Sequence, residues 1–241
     1  VDVSNLPALE TLATFYSGKI TTINTSNSPN LKAINATSND NLTNIAGLED
    51  NILLENFTAP YTKLKKLDFT HYTKLKEVNI MSSSVEEIKG LADAGANLTT
   101  LQLAQTHISS LDVSQNPNLT SIDLYAVKEL TALDVTHNPK LTSLRVPFTS
   151  ITELKLTNNP ELVTLKVAHC KLKKLDITLL PKLKALYAGS QSPNSFLDNI
   201  EVTMTAAQKT TLNQVKPFKE SENDNYANYE DTNSWVKAIV R

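Results

Sequence analysis

Apolar and polar positions alternate in short triplets along most of the chain, as in "LDV", "IDL", "LRV", "LKV" and "LDI". Each triplet places one polar residue between two apolar ones, the period of a half-buried strand. The triplets recur in two kinds of line. Lines carrying proline begin at Val1, Ile23, Ile45, Leu67, Ile88, Leu111, Leu133, Leu154 and Leu175. Plain lines begin at Leu12, Ile34, Phe57, Val78, Leu101, Ile122, Leu144, Leu165 and Leu186. The long step is 21 to 23 residues, split into shorter steps of 10 to 13. No coil of this length can bury its own apolar residues, but stacked coils share a continuous core. The spacing predicts nine coils with parallel strands on one or both sides. At about 4.8 Å per coil, that is a rod of roughly 40 Å.

The proline lines follow a fixed grammar. Asparagine comes five residues after the line begins, at Asn116, Asn138 and Asn159, followed by proline and, two residues on, leucine. An asparagine at the strand end can bond backbone that the turn leaves unpaired inside the rod. Proline presets φ for the turn and needs no donor. Leu6 and Leu180 stand where asparagine is expected, so those coils must satisfy their backbone by other means.

This pattern, "LDVSQNPNLTSI" against "LDVTHNPKLTSL", resembles the leucine-rich repeat family. It is most similar to the short bacterial type with nested units of about 10 and 11 residues, common in surface and secreted proteins of Bacteroidetes-like bacteria. The resemblance covers about residues 1–190 and implies a β-rich solenoid serving as a binding scaffold. Two departures stand out. The plain lines carry Thr106, Val127, Thr149 and Cys170 where the family has asparagine, and "KGLADAGANLTT" (89–100) holds a two-residue insertion expected to bulge from one edge.

Beyond the array, 191–241 reads as a carboxyl-terminal cap with an acidic tail. A loop, "AGSQSPNSF", leads to a last strand over Asn199 to Met204. Thr205 and Gln208 then form a capping box opening a helix over about 206–216. Residues 218–241 hold five acids and three bases, and "SWVKAIV", with the only tryptophan, Trp235, is expected to fold back as part of the cap. The amino end shows no such cap. Because the first residues already read as repeat, an export signal is expected upstream, with room for a lipid anchor.

Composition narrows the function classes. With 23 Lys+Arg against 25 Asp+Glu, the net charge of −2 exerts no general pull on nucleic acid or an anionic membrane. A total of five glycines argues against phosphate-cradling loops, and no apolar run reaches a membrane span. His71, His107, His137 and His169 fall in different columns without metal-ligand spacing, and Cys170 reads as a small buried thiol. The outward acids Asp2, Asp68, Asp112, Asp134 and Asp176 are interrupted by Lys89 and Lys155, which favours a solvated face over a calcium site. The lysine-rich stretches 63–77 and 171–186 read as solvated turns. No catalytic constellation, cofactor or metal site is expected.

The plain lines carry the more suggestive residues. At or just after them lie Phe15, Tyr16, Tyr61, Met81, Tyr125, Phe148 and Tyr187. Aromatic side chains with polar handles are what binding surfaces use. Tyr61, Met81, Tyr125, Phe148 and Tyr187 are therefore the candidate binding residues. The expected function is non-enzymatic recognition of a protein or host component, at the outer surface of a bacterium or outside it. A carbohydrate-binding surface protein, with the same aromatics stacking on sugars, is the alternative.

Overall fold

Strands of two to four residues, one or two per coil, build the molecule. The computed structural model describes residues 1–188, 200–214 and 237–240. The plain lines form one uninterrupted parallel sheet of nine strands, from Thr11–Ala13 to Ala185–Tyr187. Nine strands separated by one coil each make about eight turns of a leucine-rich-repeat β-solenoid. The register is unbroken: Leu12, Ile34, Phe57, Val78, Leu101, Ile122, Leu144, Leu165 and Leu186 are successive Cα partners. The first eight of these side chains are buried.

The proline side is discontinuous. Within the array its strands pair only in short ladders: Thr22–Asn24 with Asn44–Ala46, Lys66–Asp68 with Glu87–Lys89, and Leu133–Asp134 with Leu154–Lys155. The leucine two residues after each proline turns inward, and Leu31, Leu119, Leu141 and Leu162 are fully buried. The expected bulge is a short helix, Leu91–Ala94, followed by a 3-10 turn, Gly95–Asn97. A second departure, the 3-10 turn Leu48–Asp50, falls on the same side. Each follows a glycine in the left-handed region, Gly47 at φ 71° and Gly90 at φ 75°. A Cβ would lie 2.3 Å from the Ser26 backbone at the first and 2.1 Å from the Thr70 nitrogen at the second. Glycine is required at both because two coil backbones meet there.

Buried polar ladders hold the coils in register. The side-chain amide of Asn138 donates to the carbonyls of Val113 and Asn116, both at 2.9 Å. Asn159 does the same one coil later, to Val135 at 2.9 Å and Asn138 at 3.0 Å. On the sheet side hydroxyls close the turn within a coil: Thr62, Thr106 and Thr149 each donate to the carbonyl three residues earlier. Cys170 continues that column, its Sγ 3.1 Å from the Val146 carbonyl. In the line that begins at Leu67, Tyr72 stands in the asparagine's place. It donates its hydroxyl to the Leu48 carbonyl, and burial pushes its pKa upward.

The carboxyl-terminal elements continue the proline side. Glu201–Met204 pairs with Lys174–Asp176, and Lys237–Val240 pairs in turn with Glu201–Met204. The capping box forms: the Thr205 N–H donates to Gln208 Oε1 at 2.8 Å and the Gln208 N–H to Thr205 Oγ1 at 3.2 Å. It opens a helix over Ala206–Gln214. The expected loop "AGSQSPNSF" beyond Ala188, Asn199 of the expected strand, Trp235 and the acidic segment lie outside the described residues.

Candidate binding face

Each sheet strand presents two side chains outward. The column after the buried residue runs Ala13, Asn35, Thr58, Asn79, Gln102, Asp123, Arg145, Lys166 and Tyr187, all in register. It therefore passes from small and neutral at the amino end to charged and aromatic at the carboxyl end.

Beyond the strand every coil turns in the same way. Tyr16, Ser38, Tyr61, Ser82, Gln105, Ala126, Phe148 and His169 all have positive φ, between 52° and 60°. Each of the first seven donates its N–H to a carbonyl in the next coil, as Tyr61 does to Met81 at 3.0 Å and Gln105 to Tyr125 at 2.7 Å. The turn thus extends the sheet ladder by one rung. A left-handed non-glycine residue costs about 1–2 kcal/mol, and this hydrogen bond offsets part of it.

The candidate residues distribute over three columns. Tyr187 lies on the outward strand column, Met81 and Tyr125 in the turn with Phe15, and Tyr61 and Phe148 in the left-handed column with Tyr16. Two groups result. In the amino-terminal coils Phe15, Tyr16 and Tyr61 are 51 %, 81 % and 50 % exposed. In the carboxyl-terminal coils the side chains are half-buried and meet one another. Tyr125 and Phe148 pack edge to face with centroids 5.5 Å apart, and Phe148 stacks on His169 at 4.3 Å. The Arg145 guanidinium sits 4.6 Å above the Tyr125 ring and bonds Asp123 at 3.2 Å. Lys166 Nζ lies 4.9 Å over the Tyr187 ring. Met81 is half-buried between the two groups.

Arg145, Lys166 and His169 are members of the second group that do not stand out as binding residues in the sequence. The signal was available, since all three fall at fixed offsets from the buried strand residue. A shallow groove of about 330 Å³ adjoins this group, lined by Gln105, His107, Tyr125, Lys128, Glu129 and Phe148. His107 faces Glu129 across it at 3.3 Å. Burial holds His169 below its ordinary pKa, so near neutral pH it is an uncharged stacking partner.

Elsewhere polar side chains serve the fold. Asp68, Asp112, Asp134 and Asp176 each accept the main-chain N–H two residues ahead, at 2.8 to 2.9 Å, and so close turns. Cys170 is buried, and desolvation pushes its thiol up to about 11. Among the described residues no three His, Cys, Asp or Glu side chains converge. Nor is any helix among them long and apolar enough to cross a membrane.

No protein-family model and no curated protein matches the sequence. Solved structures do. The functional domain of InlJ from Listeria monocytogenes, which includes a cysteine ladder, superposes with a TM-score of 0.64 at 22 % identity. That match covers 85 % of this chain and 52 % of the InlJ chain, so the chain spans about half the length of its neighbour. The internalin InlF from Listeria monocytogenes matches with a TM-score of 0.52 at 15 % identity, over 82 % of this chain and 72 % of its own. With its single cysteine, this chain links successive coils through buried asparagine rungs rather than through a cysteine ladder of its own. The nine-stranded parallel sheet, the buried leucine columns and these neighbours together identify the chain as a leucine-rich-repeat solenoid.

Proposed function

We propose that the chain is a non-catalytic scaffold that binds a protein partner through the outer face of its nine-stranded sheet, at or beyond the surface of a bacterium. The observation that carries this reading is the group formed by Tyr125, Arg145, Phe148, Lys166 and Tyr187. Aromatic rings and cationic groups, partly exposed and pre-ordered by packing on one another, are the residue types that anchor protein interfaces. They stand on hydrogen-bonded coils, so little side-chain or backbone freedom is lost on binding. The cationic members suit an acidic or carbonyl-rich surface on the partner. An extracellular or surface setting, with a host component as partner, is part of this proposal and follows from the repeat resemblance read in the sequence.

The test is capture of identified proteins from a surface-labelled host-cell extract, followed by binding of the purified partner. The double variant Tyr125→Ala, Arg145→Ala is expected to weaken that binding at least about tenfold while thermal unfolding stays cooperative. Undiminished binding by a folded double variant removes this face from the interface.

A further inference from the structure

A separate slot opens in the first three coils. Tyr16, Ser38 and Tyr61 occupy successive positions of the left-handed column, with φ of 52°, 54° and 56°. The N–H of Tyr16 donates to Thr37 at 3.1 Å and that of Ser38 to Pro60 at 2.9 Å, so the three turns stack at the coil pitch. Tyr16 and Tyr61 are therefore two pitches apart, about 9.6 Å. The small Ser38 between them leaves the space open. Both tyrosines, Ser38, Gly18 and Asp40 line one open depression of about 390 Å³. Its wall is braced from behind: the Asn41 amide donates to the Gly18 carbonyl at 2.8 Å, and Lys63 donates to Asn41 Oδ1 at 2.7 Å.

The fold does not ask for tyrosine here. Serine, glutamine and alanine make the same turn in other coils, at Ser82, Gln105 and Ala126. Large exposed rings in a conformation that disfavours them point to use rather than to folding.

We propose that this slot binds one neutral six-membered sugar ring, a function beyond the protein-binding reading and independent of it. A ring seated over Ser38 is one coil pitch, about 4.8 Å, from the coil of each tyrosine, so a phenol ring is available to each of its faces. Asp40 and Ser38 supply hydrogen-bond acceptors at the slot, which suits a ring carrying hydroxyl groups. A flat apolar ligand would desolvate both without replacing their bonds to water. Asp40 disfavours sialylated, sulfated or uronic-acid rings by like charge.

Gly18 supplies the decisive variant. Its φ lies outside the left-handed region and a Cβ there meets nothing within 4 Å, so Gly18→Leu fills the slot without disturbing the coil. The purified chain is screened on an array of neutral, sialylated and sulfated glycans, and hits are titrated by calorimetry. Binding of a neutral glycan is expected, abolished by Gly18→Leu, weakened about tenfold or more by Tyr61→Ala and changed less than about threefold by Tyr61→Phe. A blank array, a preference for anionic glycans, or neutral-glycan binding that survives Gly18→Leu overturns the proposal. Capture of the protein partner depends on Tyr125 and Arg145 and is expected to survive Gly18→Leu, so the two readings fail separately.

Discussion

The side-chain amide of Gln208 donates to the Leu180 carbonyl at 3.1 Å and to that of Ile177 at 2.6 Å. These carbonyls occupy the same places in their coil as Val113 and Asn116, which Asn138 serves, do in theirs. The helix after the last coil thus supplies the rung that the next coil would have supplied. The same residue closes the capping box with Thr205. Replacing Gln208 by Leu leaves these buried carbonyls with only the turn N–H groups of Leu180 and Leu183 and removes half the box. The expected loss is about 2–4 kcal/mol, read by urea denaturation, with faster proteolysis confined to the carboxyl-terminal elements.

Inside the array, Asn138→Leu keeps the volume but takes the second donor from the Val113 and Asn116 carbonyls, which keep the N–H groups of Asn116 and Leu119. Each hydrogen bond lost costs about 0.5–1.5 kcal/mol, so the variant is expected to lower the urea midpoint clearly. An unchanged midpoint would show that the ladder does not hold the coils together.

Two glycines separate backbone freedom from close approach. Gly90 and Gly95 both have positive φ, but a Cβ at Gly95 meets nothing within 4 Å while one at Gly90 lies 2.1 Å from Thr70 N. Gly95 lies outside the left-handed helical region, at φ 51° and ψ −128°, and Gly95→Ala is expected to cost about 1–3 kcal/mol from backbone strain alone. Gly90→Ala is expected to cost more than about 3 kcal/mol, because the neighbouring backbone must move. Differential scanning calorimetry of the two variants checks the order.

Cys170 follows Thr106, Val127 and Thr149 in its column, buried and with its thiol pushed up to about 11. A thiol reagent at pH 8 is expected to leave the native chain unmodified and to react fully in denaturant. Cys170→Thr, which restores the residue type of Thr149 and Thr106, is expected to change stability by less than about 1 kcal/mol. Rapid labelling of the native chain would contradict the burial.

Several carboxylates titrate below their ordinary range in the folded chain. The Thr70 hydroxyl lowers Asp68, the Ser114 N–H lowers Asp112, the Thr136 hydroxyl lowers Asp134, and Lys76 and Lys66 lower Glu55 and Glu87. With lowered folded values the unfolded chain binds more protons, so this stabilisation is complete above about pH 4 and is lost as pH falls through the folded values. Salt at about 1 M screens the exposed lysine pairs but not the turn hydrogen bonds. The urea midpoint is therefore expected to fall with acid even in high salt, and a midpoint flat down to about pH 2 in salt would contradict the turn assignment.

The repeat columns were legible in the sequence because one residue type at a fixed offset reports one environment. The buried strand residues and the asparagine rungs follow from that offset, and the capping box from the local spacing of Thr205 and Gln208. Other features resisted. The left-handed turn carries Tyr, Ser, Gln, Ala, Phe and His, with none of the glycine or asparagine that usually mark positive φ, so no local signal reveals it. That Gln208 completes the asparagine ladder depends on where a helix docks, which spacing alone does not encode. The candidate aromatics were visible as residues, yet their division into two groups required knowing which offset each occupies and what lies one coil away.

The two irregular glycine-led turns both fall on the side whose ladders are already broken. Length changes are thereby absorbed without touching the opposite register. A lineage of such chains is free to lengthen or shorten on one flank while its recognition grid keeps a constant pitch. An interaction that evolves at one coil therefore stays aligned with those at every other.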